Sequence, residues 1–162
     1  MPTPLITTHN LKISQSNKVI INNAEFSINK FDRIILVGKN GCGKSSLLRV
    51  LKGIDTPDEG QIWMAPNIKV DLLEQNPPLP NANNVIDFLS EDNNQLNLSK
   101  INFIIQQLGL SNIDLTKKIS GGELRKIYLA QSILNEPDIM LLDEPTNHID
   151  LPTINWLEKK LI

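Results

Sequence analysis

Apolar positions in the first thirty residues recur at period two or in short runs. Leu11 and Ile13 alternate with polar neighbours, Val19-Ile20-Ile21 is continuous, and Ala24, Phe26 and Ile28 alternate again. This spacing predicts β-segments between Leu5 and Phe31, with Ser14 to Lys18 and Asn22-Asn23 as turns and Phe26 and Phe31 as core strand residues. The antiparallel layer so formed leads into Arg33 and then Ile34-Ile35-Leu36-Val37, an unbroken apolar run of the kind a buried strand carries. Leu47, Val50 and Leu51 change the period to that of a helix, with Gly53 as its stop and Thr56-Pro57-Asp58-Glu59-Gly60 as a turn. Strands are expected over Gln61–Met64 and Ile68–Leu73, joined by Ala65-Pro66-Asn67. An Asn/Pro-rich connector, beginning at Asn76, runs to Asn84.

The second half is mainly helical. Val85, Phe88 and Leu89 share one face, and Ile101, Ile104, Ile105 and Leu108 repeat at the spacing of a second amphipathic helix. Ser99 is its expected N-cap and Gly109 its stop, and the polar stretch Glu91 to Asn97 is read as a loop. Ser120, with Glu123 three residues on, forms a capping box opening a helix to about Asn135, whose stripe is Leu124, Ile127, Ala130 and Leu134. Ile139-Met140-Leu141-Leu142 reads as a second buried strand. Pro152 is expected at the first position of a last helix with Ile154, Leu157 and Leu161 on its apolar face. The expectation is one α/β domain over residues 1–162, with a helical subdomain at about 84–135 and no internal repeat.

Between the first apolar run and the first helix lies Gly38-Lys39-Asn40-Gly41-Cys42-Gly43-Lys44-Ser45, which fits G-x-x-x-x-G-K-[ST] in a strand–loop–helix context. Its glycines let the backbone wrap a phosphate chain where side chains would hold the amides away. The N–H groups that open a helix have no partners within it, and the helix dipole is positive there, so a polyphosphate satisfies both. Lys44 is then expected to bridge the β- and γ-phosphates, and Ser45 to hold Mg²⁺ through its hydroxyl.

The strand ending at Leu142 delivers Asp143-Glu144-Pro145-Thr146 at its C-terminal end, where ligands bind in open α/β sheets. Asp143 is suited to the Mg²⁺ shell and Glu144 to polarising an attacking water. Ser120-Gly121-Gly122 leaves two readings open, a well-capped helix or a second anion site. His9 has no second ligand-type residue at useful spacing and is read as a surface histidine.

Composition narrows the setting. The chain has 162 residues, is 40% hydrophobic and 21% charged, and carries a net charge of −2, which argues against a strongly basic nucleic-acid-binding face. A single cysteine, Cys42, excludes an internal disulfide and suits a reducing compartment. No apolar stretch approaches the roughly 20 residues that span a bilayer, and Met1-Pro2-Thr3-Pro4 lacks the start of a signal peptide. A cytoplasmic protein is expected.

Taken together these motifs resemble the ATP-binding cassette family, a P-loop NTPase fold, over nearly the whole chain. Gly38 to Ser45 is similar to its Walker A loop, with Ser46 next to it, and Gln75 to its Q-loop glutamine, placed near the metal. Ser120-Gly121-Gly122-Glu123 resembles the signature motif, Ile139 to Glu144 the Walker B strand with its catalytic glutamate, and Ile149-Asp150 the D-loop. Glu123 and the run Glu144 to Asp150 look like the ABC-F group, soluble ATPases without a membrane domain. The resemblance implies ATP and Mg²⁺ as ligands, with Lys44 and Glu144 as the catalytic pair. A second cassette is implied to pair head to tail, so that Ser120 and Gly122 touch the γ-phosphate bound by the other copy. It further implies action on ribosomes or nucleic-acid structures. The ATPase subunit of an ABC transporter and a non-catalytic nucleotide-binding module are the alternatives.

Three departures from the family pattern are visible. No aromatic residue lies near Ser14 to stack on adenine. There is one cassette without a linker, and Gln75 to Ser120 leaves no room for a long inserted arm. The resemblance also implies a further strand and a switch histidine beyond Ile162, so the fold is expected to be C-terminally incomplete, with the two catalytic strands lacking a shared neighbour.

Overall fold

The computed structural model describes residues 3–16, 18–91 and 98–161. It has a mixed α/β architecture with an N-terminal antiparallel sheet and a helical part, and its residues divide into two compact units.

The first unit runs to Leu72 and includes Pro137–Asp143. Its sheet has the order β2-β1-β3, built from β1 (Pro4–Gln15), β2 (Lys18–Asn29) and β3 (Glu59–Met64), all antiparallel neighbours. Ile6 lies opposite Ile28 on one side and Met64 on the other, and Thr8 opposite Phe26 and Ile62, so β1 is the central strand. A hydroxyl buried in such a strand must find partners. Thr8 Oγ1 donates to the carbonyls of Ala24 and Phe26 and accepts the Phe26 N–H at 3.1 Å. A register shift separates His9 from Lys12, and Gly60 fits opposite it with φ of 91°. A Cβ on Gly60 would lie 2.4 Å from the Asn10 carbonyl oxygen, so glycine is required by both conformation and space.

Helix α1 (Lys44–Lys52) ends at Gly53 in the left-handed conformation, whose N–H returns to the Arg49 and Val50 carbonyls. Strands β4 (Val70–Leu73) and β5 (Ile139–Leu142) pair with each other. Asp138 braces their start by accepting the Lys69 N–H through Oδ2 at 2.8 Å, while Lys69 O accepts the N–H of Asp138 and Ile139. One apolar core unites Ile6, Leu11 and Ile13 of β1 with Leu47, Leu48, Val50 and Leu51 of α1 and Ile139 and Leu141 of β5.

The second unit comprises Leu73–Glu136 and Glu144–Ile162. Its helices are α2 (Val85–Glu91), α3 (Leu98–Gln107), α4 (Gly121–Leu134) and α5 (Leu151–Leu161). Val85, Phe88 and Leu89, then Ile101, Ile104, Ile105 and Leu108, are buried as their periodicity predicts. The Phe88 and Tyr128 rings meet edge to face with centroids 5.3 Å apart. Among the described residues no helix is long and apolar enough to cross a membrane.

Several local expectations are corrected. Ile34-Ile35-Leu36-Val37 forms no strand: Ile35 is 86% and Val37 91% exposed, and the segment pairs with no described strand. An apolar run becomes a buried strand only when another strand satisfies its backbone groups, and without one it stays in water. Phe31, expected in the core, is 89% exposed at a turn with φ of 69°, with the Lys30 ammonium 5.2 Å above its ring. Asn22-Asn23 lies inside β2, where Asn23 takes φ of 52° and the β1–β2 register is irregular between Leu11 and Ile13. Ile68 and Lys69 precede β4, and Ser99 lies inside α3, which begins one residue earlier. Asn17, residues 92–97 and the Leu161 side chain, to which turn, loop and apolar-face roles were assigned, lie outside the described residues.

Candidate functional site

The phosphate-type loop belongs to the first unit. Gly41 and Gly43 both take positive φ, 76° and 98°, the region L side chains adopt only with strain. A Cβ on Gly43 would also lie 2.8 Å from Ile20 Cδ1, whereas one on Gly41 would meet nothing within 4 Å. Gly38 packs against Cys42, since a Cβ there would lie 2.6 Å from the Cys42 sulfur. The Cys42 N–H donates to Lys39 O at 3.2 Å and closes the turn. Gly43 is the N-cap of α1 and supplies no side-chain cap, so the N–H groups that open the helix are left for another acceptor.

Lys44 lies over this loop, its ammonium donating to Gly38 O at 2.9 Å and to Lys39 O at 3.2 Å. Lys39, Asn40, Cys42 and Ser45 are exposed, and Ser46 is half-buried beside them. Loop conformation, helix start and cation together suit a polyanion. Asp143, 7% exposed, ends the Pro137–Asp143 part of the same unit directly after β5.

The remaining candidates lie in the second unit. Gln75 follows β4 in a bend, and its Nε2 donates to Glu144 Oε2 at 2.8 Å. Asn147 Nδ2 donates to the same oxygen at 2.6 Å, and the Asn147 N–H donates to Glu144 O at 3.1 Å. Glu144 thus heads a tight turn with φ of 47°, a left-handed conformation that costs a non-glycine residue about 1 kcal/mol or more. Its carboxylate is fixed by two amide donors on one oxygen.

Helix α4 opens with the predicted capping box. Ser120 Oγ accepts the Glu123 N–H at 3.2 Å, and Glu123 Oε2 accepts both the Ser120 N–H at 2.8 Å and its hydroxyl at 2.6 Å. These bonds from Ser120 hold the Glu123 carboxyl below its ordinary range. Gly121 is exposed, but Gly122 lies against the turn after Glu144: a Cβ there would be 2.5 Å from His148 O. Asp150 receives the Thr153 N–H at 2.9 Å and the Lys126 ammonium, and these partners lower its pKa to about 2. Asp150 is therefore the N-cap of α5. Pro152 occupies the second helical position rather than the first, with no N–H to lose in either place.

Sequence reasoning missed Asn147 and Arg125 as neighbours of these groups. The expected stripe of α4 holds for Ile127, Ala130 and Leu134, but Leu124 is half-buried and a second face, Arg125, Leu129 and Ser132, is buried as well. Arg125 Nη1 donates to Gln75 O at 2.9 Å. Its position four residues before Leu129 and seven before Ser132 was the available signal.

A family profile described as ABC transporter matches residues 21–147. The chain is 41% identical over 166 residues, 98% of its own length, to the ATP-binding protein Uup of Buchnera aphidicola subsp. Schizaphis graminum, of which it covers 28%. It is 33% identical, over 99% of its length, to the zinc import ATP-binding protein ZnuC of Rickettsia conorii, of which it covers 74%. A solved ATP-binding subunit of an ABC transporter superposes with a TM-score of 0.80 at 19% identity, covering 97% of this chain and 73% of that one. The chain therefore spans just over a quarter of the Uup relative and about three quarters of the zinc import relative. With the profile matched over most of its length and a relative 33% identical that it covers to about three quarters, the chain belongs to the ABC transporter family as an ATP-binding, ATPase-type domain.

Proposed function

We propose that ATP binds along Gly38–Ser46, its phosphates received by the loop amides and by Lys44, and that Glu144 orients the water that attacks the γ-phosphate. The observation that carries this reading is the loop itself: left-handed glycines, a helix start with no side-chain cap, and a lysine ammonium resting on the Gly38 and Lys39 carbonyls. Mg²⁺, when bound, neutralises charge on the phosphate oxygens. Ser45, Asp143 and Gln75 are the residues assigned to it, and their hydroxyl, carboxylate and amide oxygens are donor types that a hard cation takes. Ser120, Gly121 and Gly122 are assigned to the γ-phosphate held by a second cassette in head-to-tail pairing.

Two settings are open to such a domain. The transporter setting, an ATPase subunit serving a membrane partner, is favoured by the family profile and the zinc import relative. Action on ribosomes or nucleic-acid structures, the ABC-F reading, is carried by the resemblance of Glu123 and the Glu144–Asp150 run to that group. Co-purification with a membrane subunit supports the first, and ATP-dependent co-sedimentation with ribosomes the second.

The chemistry is tested by two substitutions. Lys44→Ala is expected to abolish ATP binding in a fluorescence or calorimetric titration. Glu144→Gln is expected to bind ATP normally and to lose turnover by about 100-fold or more, the scale of a general-base contribution. Turnover at the parent rate by Glu144→Gln would remove Glu144 from the mechanism.

A further inference from the structure

Arg125 is a charged side chain only 3% exposed, placed on α4 five positions after the capping serine. Burying a guanidinium is costly unless its N–H groups find good acceptors. One of them, Nη1, donates at 2.9 Å to the main-chain carbonyl of Gln75. That carbonyl belongs to a bend between β4 and the Asn76-Pro77-Pro78 run, where no ladder or helix fixes the backbone. A charge-assisted hydrogen bond to it is about twice as strong as a neutral one and holds the chain in place there.

The side chain of the same residue carries the restraint onward. Gln75 Nε2 reaches Glu144 Oε2 at 2.8 Å, and Asn147 Nδ2 binds that oxygen from the other side at 2.6 Å. With both donors on Oε2, Glu144 Oε1 accepts no hydrogen bond among the described residues. Arg125, Gln75, Glu144 and Asn147 thus form one chain of contacts within a single unit, from α4 through the Gln75 main chain and side chain to the proposed catalytic carboxylate.

We propose that Arg125 is a positioning residue for hydrolysis: by fixing the Gln75 main chain it directs the Gln75 amide onto Glu144 Oε2 and leaves Oε1 for water. Arg125 itself is assigned no contact with ATP, so its substitution is expected to act on the chemical step, with affinity read for ATP without Mg²⁺ because Gln75 is also assigned to the metal. The inference rests on the proposed role of Glu144.

The test uses the whole chain with Arg125→Met, which keeps the buried volume, and Arg125→Lys, which restores a donor. The first readout needs no turnover. In ¹⁵N-labelled protein the Gln75 side-chain amide should give two resolved, exchange-protected signals. In Arg125→Met these should collapse to free-glutamine positions, as they should in Glu144→Ala, while Arg125→Lys keeps them partly resolved. The second readout is kinetic. Arg125→Met should lower kcat about tenfold while ATP affinity stays within about twofold, and should have no further effect in a Glu144→Gln background. Unchanged Gln75 signals in a folded Arg125→Met protein would overturn the proposal, as would free-glutamine positions in a folded Arg125→Lys protein or a loss confined to ATP affinity. Full turnover by Glu144→Gln would instead sink the underlying reading, with the amide signals still reporting whether Arg125 sets Gln75.

Discussion

Single residues carry two separable demands in this chain, on space and on chemistry. Gly122 shows the first. Its Cβ would lie 2.5 Å from the His148 carbonyl oxygen, whereas one on Gly121 would meet nothing within 4 Å. Gly122→Ala is therefore expected to destabilise the nucleotide-free chain by about 1–3 kcal/mol, the usual cost of overpacking. Gly121→Ala should be neutral or slightly stabilising, since alanine favours a helix. Thermal denaturation without ATP checks both, and equal melting temperatures for the two variants would contradict the packing. A role for either glycine at a γ-phosphate would show only as a further loss once ATP is added. At this scale the sequence was highly legible. Gly38 to Ser45, Ser120 with Glu123, and Gly53 at a helix end are short-range signals whose causes lie within a few residues of each other. Asn147 and Arg125 escaped because their partners, Glu144 through a left-handed turn and Gln75 across fifty positions, depend on folding back.

Elements are governed by their ends as much as by their faces. Helix α4 is held at its start by the reciprocal Ser120–Glu123 box, and α5 by Asp150. Ser120→Ala should cost about 1 kcal/mol in a denaturant titration, the usual value of a lost N-cap. A cost near zero would mean that the box is redundant. Asp150 makes its contribution depend on pH. Its folded pKa of about 2 lies below the ordinary 3.8, because the Lys126 ammonium and the Thr153 hydrogen bonds favour the carboxylate. A depressed pKa contributes stability that is complete above 3.8 and lost as pH falls through about 2. Asp150→Asn is thus expected to be less stable than the parent near neutrality, with the gap closing over that acid range. The group is about half exposed, so salt should narrow the gap as well. A gap that stayed constant down to pH 2 would place the effect elsewhere. The two buried faces of α4 explain why its stripe was read too narrowly, because a helix covered on both sides loses the single-face periodicity that marks an amphipathic one.

For the whole molecule, the exposed run from Phe31 to Val37 is the largest mismatch between residue type and surroundings. Five of its residues, Phe31, Ile34, Ile35, Leu36 and Val37, are large, apolar and exposed. An apolar patch in water favours association. The chain as given is expected to bind a hydrophobic dye such as ANS and to self-associate at raised concentration. Ile35→Lys with Val37→Lys should reduce both effects without lowering the melting temperature, because neither side chain is packed. A chain that stays monomeric and leaves the dye dark would show that this run is covered in solution.

Local instructions therefore settled a large part of this protein. Cap chemistry, turn glycines, helix faces and the phosphate-loop pattern act through neighbours a few residues apart, so the amino-acid order alone determines them. Strand partnership does not work that way. Ile34 to Val37 and Ile139 to Leu142 are equally apolar runs, yet among the described residues only the second has a partner strand, β4, and only the second is packed. Hydrophobic pattern says that a segment would gain by burial, and tertiary structure decides whether another strand is there to take its hydrogen bonds. The same holds at the carboxylate. Sequence placed Glu144 at the end of its strand, but the fold alone brings Gln75 and Asn147 to its carboxylate and Arg125 to Gln75, because hydrogen-bond geometry is fixed by distances in space and not along the chain.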